Sequence, residues 1–386
     1  MRVGLGAPRG RPRVAFAPRD SRQARSGTGI VGRAREGAAP ITVPPGSVVL
    51  CGSEVQVVNV LEPAFLIVGT PRSGTTLVQR LACELPEVRV PHETHFFSLH
   101  AEGLLRRRRF PLVGAELREE LEIWASNEGL QGRAINLDAI VERLDGRAES
   151  LWILFSAIVT ELAGDAEIIG EKTPDHLLWV PTLARAVPRL RFVVVVRDPR
   201  AVVASMGGVP FSMRGHVLQA ERWLADQRLL RSAARQLGAE RLLLLRYEDI
   251  VRQPQEARQQ LASFLGVSAA PIQGSPGDLF LPWEWWKVRA LDQISTDRIG
   301  AWKDALTRRQ VAQVVAICRG EMAAYGYEDG RPGVAAALSA LGRIRPSDQI
   351  RRIRYRRGRR RRLRWLASRR VHEGLVAPRR EAVVAS

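Results

Sequence analysis

The chain has 386 residues, of which 45% are hydrophobic, enough to fill one large domain or two smaller ones. No run approaches 18 apolar residues and the first 20 residues lack an apolar signal region, so the sequence predicts no transmembrane helix and no secretory signal. The three cysteines are far apart, which argues against a disulfide framework or a metal cluster and favours a reduced, cytoplasmic protein.

The net charge of +19 is concentrated at the two ends of the chain. Residues 1–40 contain nine arginines and two acidic residues, residues 343–370 contain fourteen arginines and one acidic residue, and the remainder is nearly neutral. We therefore predict a disordered basic segment at 1–45, a folded domain at 46–335 and a basic, partly helical tail at 336–386. Tail contact with an anionic membrane or polyanion is one hypothesis, which would place the protein at the membrane periphery. No specific nucleic acid is indicated, and the oligomeric state is not readable.

In chain order, residues 47–60 suggest a small hairpin, and a strand then enters a polar loop. The apolar run Ala64–Val68 is followed by Gly69-Thr-Pro-Arg-Ser-Gly-Thr-Thr-Leu77. Such a loop directs backbone N–H groups and hydroxyls in front of a helix N-terminus, where an anion, usually a phosphate, is bound. Gly69 and Gly74 have P-loop spacing, but Thr75 stands where the P-loop lysine belongs, and Arg72 supplies the positive charge.

The rest of the domain alternates helices with short apolar strands. Mainly helical patterns cover residues 100–165, and further strands are predicted at 168–170, 191–196 and 241–246. This alternation predicts an α/β fold, a P-loop-like three-layer α/β/α arrangement with a central parallel sheet and disordered basic tails, with ligands at the carboxyl ends of the strands.

Side chains that are cationic or carry a hydroxyl group follow four of these strands: Arg72 with its hydroxyl neighbours, Lys172, Arg197 with Ser205, and Tyr247. The eight-residue spacing of Arg197 and Ser205 lets both face one anion. A magnesium-dependent kinase or NTPase is the alternative, but Arg197 precedes Asp198 where a Walker-B aspartate would end the strand. We expect a nucleotide with two separate anionic groups and no metal.

Four motifs, in order, resemble the sulfotransferases that use 3′-phosphoadenosine-5′-phosphosulfate (PAPS). Pro71–Leu77 is similar to the family's 5′-phosphosulfate loop and Arg197–Ser205 to its 3′-phosphate motif. Arg246-Tyr-Glu-Asp-Ile, with the later Phe264-Leu-Gly, is similar to the adenine-side segment, and Gly300-Ala-Trp-Lys303 to the C-terminal nucleotide loop. The resemblance extends from about residue 64 to 328. It implies transfer of the PAPS sulfuryl group to a hydroxyl or amine acceptor.

The resemblance also implies roles for individual residues. Tyr247 would lie near the adenine, and Lys172, in Glu-Lys-Thr-Pro, matches the lysine with which tyrosylprotein sulfotransferases stabilise the transferring group. The 5′-phosphosulfate would be held by Arg72, Ser73, Gly74, Thr75 and Thr76. The 3′-phosphate would be held by Arg197 and Ser205, with a looser match at Arg298.

Two side chains are candidates for the general base. Pro91-His-Glu-Thr-His95 resembles a turn of the tyrosylprotein enzymes whose second glutamate is the base, which maps to Glu93. Burial would raise the pKa of Glu93 to a suitable value. His95 is the alternative, because histidine serves as the base in the aryl sulfotransferases. Both residues could instead only cap the turn. The sequence does not indicate which acceptor is used.

Only three of the 59 basic residues are lysines: Lys172, Lys287 and Lys303. Since arginine does not replace an ammonium in a site, this usage is either chance or a sign of function.

Overall fold

We describe the fold from a computed structural model that covers residues 47–51, 54–58, 60–210, 213, 215–271, 279, 284–327 and 334–376. The predicted disordered segment 1–45 lies outside these residues, as does Trp283. The strands are β1 (Ser47–Cys51), β2 (Glu54–Val58), β3 (Phe65–Gly69), β4 (Val88–Arg89), β5 (Leu112–Val113), β6 (Arg147–Ala148), β7 (Ile168–Lys172), β8 (Arg191–Val196) and β9 (Leu242–Arg246).

Fifteen α-helices are assigned in the described ranges, and one π-turn (Phe96–His100) and 3₁₀ turns, including Pro174–Trp179 and Trp285–Ala290, connect some of them. The α-helices are α1 (Thr75–Cys83), α2 (Ala101–Arg107), α3 (Gly114–Ala125), α4 (Leu137–Arg143), α5 (Leu151–Ala163), α6 (Val180–Ala186), α7 (Pro199–Met206), α8 (His216–Arg241), α9 (Tyr247–Arg252), α10 (Pro254–Leu265), α11 (Trp302–Ala305), α12 (Arg308–Ala324), α13 (Val334–Gly342), α14 (Pro346–Leu366) and α15 (Arg369–Leu375).

The central sheet has five parallel strands in the order β4-β7-β3-β8-β9, which confirms the predicted α/β fold. Strand β3 is buried throughout, and its side chains alternate between the two faces. Leu66 and Val68 join the core that contains α5, whereas Phe65 and Ile67 join the core that contains α1 and α10. Burial on both faces explains why the strands are continuous apolar runs.

The strand order brings the polar strand ends together. Strand β3 is hydrogen-bonded to β7 on one side and to β8 on the other, and β9 lies beyond β8. The chain therefore leaves neighbouring strands at Gly69, Lys172, Val196 and Arg246, along one edge of the sheet. This is the edge at which open α/β sheets bind ligands.

The C-terminal basic segment, predicted to be partly helical, forms α14 and α15. Leu366, Val371 and Leu375 are buried in the same core as α5, whereas Ile350 and Ile353 are about half exposed. Within the described residues, no helix is both long and apolar enough to cross a membrane.

Candidate active site

The loop between β3 and α1 has a backbone that few residues can adopt. Gly74 has φ of +100° and Arg72 has φ of +72°, both in the left-handed region. A Cβ atom on Gly74 would lie 2.6 Å from Cδ2 of Tyr247, and one on Gly69 would lie 2.5 Å from the carbonyl oxygen of Val195. Close approach thus requires a glycine at both positions, and at Gly74 the backbone conformation requires one as well.

Two arginines from neighbouring strand ends meet at this loop. The Arg72 Nε donates to Ser205 Oγ at 3.1 Å, and Arg197 donates to the carbonyl oxygens of Arg72 and Arg298, each at 3.2 Å. The Arg197 guanidinium lies 4.0 Å from the centroid of the Tyr247 ring. Arg298 itself is exposed and reaches the site through its backbone.

Several polar groups at the loop have unsatisfied capacity for an anion. Ser73 is completely buried, and its Oγ, like Nε of the buried Arg197, has no hydrogen-bond partner among the described residues. Burial and the nearby Arg197 charge lower the pKa of Arg72. Two close guanidinium groups and an unpaired buried hydroxyl fit a bound phosphate group, which would supply the missing charge and acceptors.

A cluster of four buried charged side chains lies next to the loop. Lys172 Nζ is 2.5 Å from Glu93 Oε1 and 3.5 Å from Thr76 Oγ1. Lys287 Nζ is 2.6 Å from the same Glu93 oxygen and 2.5 Å from Glu284 Oε1. We call Glu93, Lys172, Glu284 and Lys287 the charge quartet. Its side chains are at most 10% exposed.

The quartet controls the ionisation of its members. Burial alone would raise the pKa of Glu93, but the ammonium groups of Lys172 and Lys287 outweigh burial and hold this pKa well below its usual range. The prediction of a raised pKa for Glu93 is therefore wrong. Burial lowers the pKa of Lys172 to about 8 despite its pairing with Glu93.

The second predicted base lies beside the first. His95 Nε2 is 3.5 Å from Glu93 Oε2, and burial lowers the pKa of His95, which favours the neutral ring. His95 has φ of +51°, and Thr173 Oγ1 accepts a hydrogen bond from its backbone N–H at 3.2 Å.

A buried glutamate fixes this turn to the end of β7. Glu171 Oε1 accepts from the Thr94 N–H at 3.2 Å, from Thr94 Oγ1 at 2.8 Å and from Thr173 Oγ1 at 2.6 Å. Its other oxygen lies 2.9 Å from Nδ1 of His176, whose Nε2 accepts from the N–H of Phe97. The network holds Glu93 and His95 over the strand end that carries Lys172.

All of the residues predicted from the sequence come together at one edge of the sheet. The loop residues, Arg197, Ser205 and Tyr247 form one part of the site, and Lys172, Glu93 and His95 form the adjoining part. Gly300–Lys303 lies nearby, since the Arg200 guanidinium stacks 4.1 Å from the centroid of the Trp302 ring. Lys287 and Glu284 were missed. The scarcity of lysine was a signal for Lys287, but nothing in the sequence pointed to Glu284.

Comparison with known proteins shows to which family a chain with this site belongs. Residues 63–271 match the model of the Sulfotransferase family. The chain is 28% identical over 245 residues to protein-tyrosine sulfotransferase 2 of Gallus gallus, covering 60% of each protein. It is 25% identical over 215 residues to a putative protein-tyrosine sulfotransferase of Caenorhabditis briggsae, covering 53% of this chain and 66% of that protein.

Among solved structures, the sulfotransferase domain of the Synechococcus PCC 7002 olefin synthase aligns with a TM-score of 0.47 and 18% identity, covering 67% of this chain and 94% of that one. The chain spans less than two thirds of the length of either curated relative.

The predicted cytoplasmic location, with or without a place at the membrane periphery, is wrong. The curated relatives that the chain matches are protein-tyrosine sulfotransferases, which are enzymes of the Golgi membrane. Contact of the 343–370 tail with an anionic membrane or polyanion is likewise not supported.

Proposed function

Since the chain belongs to the Sulfotransferase family, we propose that it moves the sulfuryl group of PAPS in-line, without a metal, to a hydroxyl acceptor. The observation that carries this proposal is the contact between Lys172 and two partners at once, Glu93 and Thr76. It joins a candidate base to the phosphate-binding loop through a single ammonium group.

The residues of the loop suit the donor. Arg72, Ser73, Gly74, Thr75 and Thr76 would hold the 5′-phosphosulfate. Arg197 and Ser205, with the backbone of Arg298, would hold the 3′-phosphate, and Tyr247 would lie at the adenine side. Asp198 is a poor metal ligand, because its carboxylate forms a bidentate pair with Arg200 at 2.6 and 3.0 Å.

The transfer balances with the side chains present. The bond between sulfur and the phosphate oxygen breaks while the acceptor oxygen bonds to sulfur, and the acceptor proton passes to a carboxylate oxygen of Glu93. Lys172 neutralises charge that develops on the leaving and transferring oxygens. A hydroxyl proton becomes acidic as its oxygen bonds to sulfur, so an ionised Glu93 can accept it in that step.

The names of the curated relatives make a protein tyrosine hydroxyl the first acceptor to test. An amine or another hydroxyl compound is the alternative. His95 is the alternative base, because its ring lies within 3.5 Å of Glu93.

The proposal predicts different effects on binding and on chemistry. Glu93→Gln should lower kcat for sulfuryl transfer roughly 10²- to 10⁴-fold, the usual contribution of a general base, while 3′,5′-adenosine bisphosphate still binds. The measurement uses ³⁵S-labelled PAPS with a tyrosine peptide, a simple phenol and a saccharide, and calorimetry with the bisphosphate.

A larger loss in His95→Gln than in Glu93→Gln would make His95 the base. If the protein bound neither PAPS nor the bisphosphate, the proposed function would fall. Magnesium-dependent ATP turnover that survives Thr75→Ala and needs no PAPS would favour the kinase or NTPase alternative. Unchanged transfer in excess EDTA would support the metal-free route.

A further inference from the structure

Lys287 lies outside the strand ends, but hydrogen bonds to the rest of the site hold the turn that carries it. Backbone carbonyl groups tie its 3₁₀ turn, Trp285–Ala290, to α1 and to the loop between β3 and α1 (residues 70–74), which we call the donor loop. Arg72 donates to the carbonyl oxygen of Trp286 at 3.0 Å, and Arg80 donates to those of Ala290 at 3.0 Å and Asp292 at 2.8 Å. These bonds hold Lys287, one of only three lysines in the sequence, next to the buried carboxylate of Glu93.

In the function proposed above, Glu93 needs a second cation beside it, and Lys287 provides that cation. If Lys172 moves its charge toward the transferring sulfuryl group, Glu93 loses one of its two ammonium partners. A carboxylate as buried as Glu93, left without a cation, is protonated near neutral pH and can no longer accept a proton. Lys287, whose Nζ lies 2.6 Å from Glu93 Oε1, is the ammonium group left to pair with Glu93 in that situation.

We propose that Lys287 is a positioning residue that keeps Glu93 ionised while Lys172 serves the donor, and that Glu284 retains Lys287 once Glu93 has taken the proton. This inference rests on the proposed function, and it adds two residues to its machinery. Lys287 acts through Glu93, and the described contacts place it against Glu93 and Glu284.

The surrounding charges agree with this role. The groups that face Glu93 are Lys172 from β7, Lys287 from the 3₁₀ turn, His95 from its own turn and Arg72 from the loop. Burial tends to lower the pKa of Lys287, but Glu93 and Glu284 together raise it, so that its ammonium stays charged. With two lysines and two glutamates, the quartet contains equal numbers of basic and acidic side chains.

The test follows the protonated-carboxyl infrared band of Glu93 during a pH titration, with the band identified by its loss in Glu93→Gln. In Lys172→Met, Lys287 is the remaining ammonium partner and should keep Glu93 ionised at pH 7. In the double variant Lys172→Met/Lys287→Met, the band should appear at pH 7. Its half-titration should occur at least one pH unit higher than in Lys172→Met, which is a proton concentration at least tenfold lower.

Kinetics provide a second readout with native Lys172. Lys287→Met should move the acidic limb of kcat at saturating PAPS upward by about one pH unit, a tenfold change in proton concentration, because kcat reports ionisation in the complex in which Lys172 serves the donor. Lys287→Arg should restore the limb. Arg354→Met, which removes an exposed cation on α14, is the matched control and should leave the profile unchanged. Lys287→Gln replaces Lys287→Met if the latter does not fold.

The outcomes separate the two proposals. If the wild-type protein fails to bind the bisphosphate, the proposed function falls. If it binds and transfers, but the infrared titration of the double variant equals that of Lys172→Met, only the role of Lys287 is overturned. Bisphosphate affinity reduced tenfold or more in Lys287→Met would also overturn it, because Lys287 would then act on the donor directly.

Discussion

Lys172 combines complete burial with a contact to the donor loop, and its ionisation should therefore govern the pH dependence of the reaction. Burial lowers its pKa to about 8, even though Glu93 opposes the shift. The protonated form is the one that can neutralise the transferring group. Activity should thus be highest below pH 8 and fall as pH rises through 8.

The wild-type kcat/KM for PAPS should decline about tenfold per pH unit above pH 8, because kcat/KM reports ionisation in the free enzyme. Lys172→Arg should have a lower maximal rate, since the guanidinium fork has a different geometry, but no alkaline limb at this pH. The two profiles, measured between pH 6 and 10, check this. A wild-type profile that stays flat to pH 10 would refute the assignment.

At this scale the sequence supplied the identity of the residues but not their ionisation. Glu93, Lys172 and Arg72 were identified from motif resemblance and strand ends. The pKa of Glu93 was predicted in the wrong direction, because it depends on Lys172 and Lys287, which lie far along the chain and approach it only in the fold. Burial could be expected for such a residue, but its counter-ions could not.

At the scale of the element, the loop from β3 to α1 is closely packed against β8 and α9. Tyr247, the first residue of α9, packs against Gly74 and beneath Arg197. The ring therefore supports both the donor loop and the second arginine.

Gly74→Ala should weaken binding of 3′,5′-adenosine bisphosphate about tenfold or more, equivalent to at least about 1.4 kcal/mol. An alanine at φ of +100° costs roughly 1–2 kcal/mol, and its Cβ would overlap the Tyr247 ring. Titration calorimetry measures the effect. Gly320→Ala, in α12 with open space around it, is the control and should bind as the wild type does. Equal affinities for the two variants would contradict this description of the loop.

The elements most readily predicted were those with strong patterns. The apolar runs that became β3, β8 and β9 were evident, and their strand-then-helix alternation was sufficient to predict a parallel sheet. The helical segment that follows β7 is divided into a 3₁₀ turn, Pro174–Trp179, and α6. Pro181 lacks an N–H group to bond to the preceding turn, which explains the interruption.

At the scale of the whole molecule, α14 is connected to the donor loop through a buried charge. Arg359 lies 2.7 Å from Asp226 Oδ1, and the Thr70 hydroxyl, in the loop after β3, donates to Asp226 Oδ2 at 3.0 Å. Arg352 and Arg356 pair with the buried Glu221 on the same helix, α8. From the sequence alone, a sulfotransferase with a solvated basic tail is expected to keep its transfer activity when residues 343–386 are deleted. These contacts replace that expectation.

Arg359→Met should lower the free energy of unfolding by roughly 3 kcal/mol, because it leaves Asp226 buried with less counter-charge, and should weaken bisphosphate binding through Thr70. Denaturant melts and calorimetry measure both effects. Arg354→Met, on the exposed face of α14, should change stability by no more than about 0.5 kcal/mol.

Adding Asp226→Asn to Arg359→Met should recover part of the lost stability, since the asparagine removes the unpaired charge and keeps an acceptor for Thr70. Full stability of a chain that ends at residue 342 would contradict a structural role for α14.

The sparing use of lysine has a practical consequence for chemical footprinting. This 386-residue protein has only three lysine side chains with which an amine-acylating reagent can react, and two of them belong to the same buried cluster. Acylation requires the neutral amine. Burial lowers the pKa of Lys172 to about 8, whereas Glu93 and Glu284 raise that of Lys287, so Lys172 is the more reactive of the two in the folded cluster. Peptide mass spectrometry after brief labelling therefore reports, at single-residue resolution, how often the cluster opens to solvent and whether a ligand closes it.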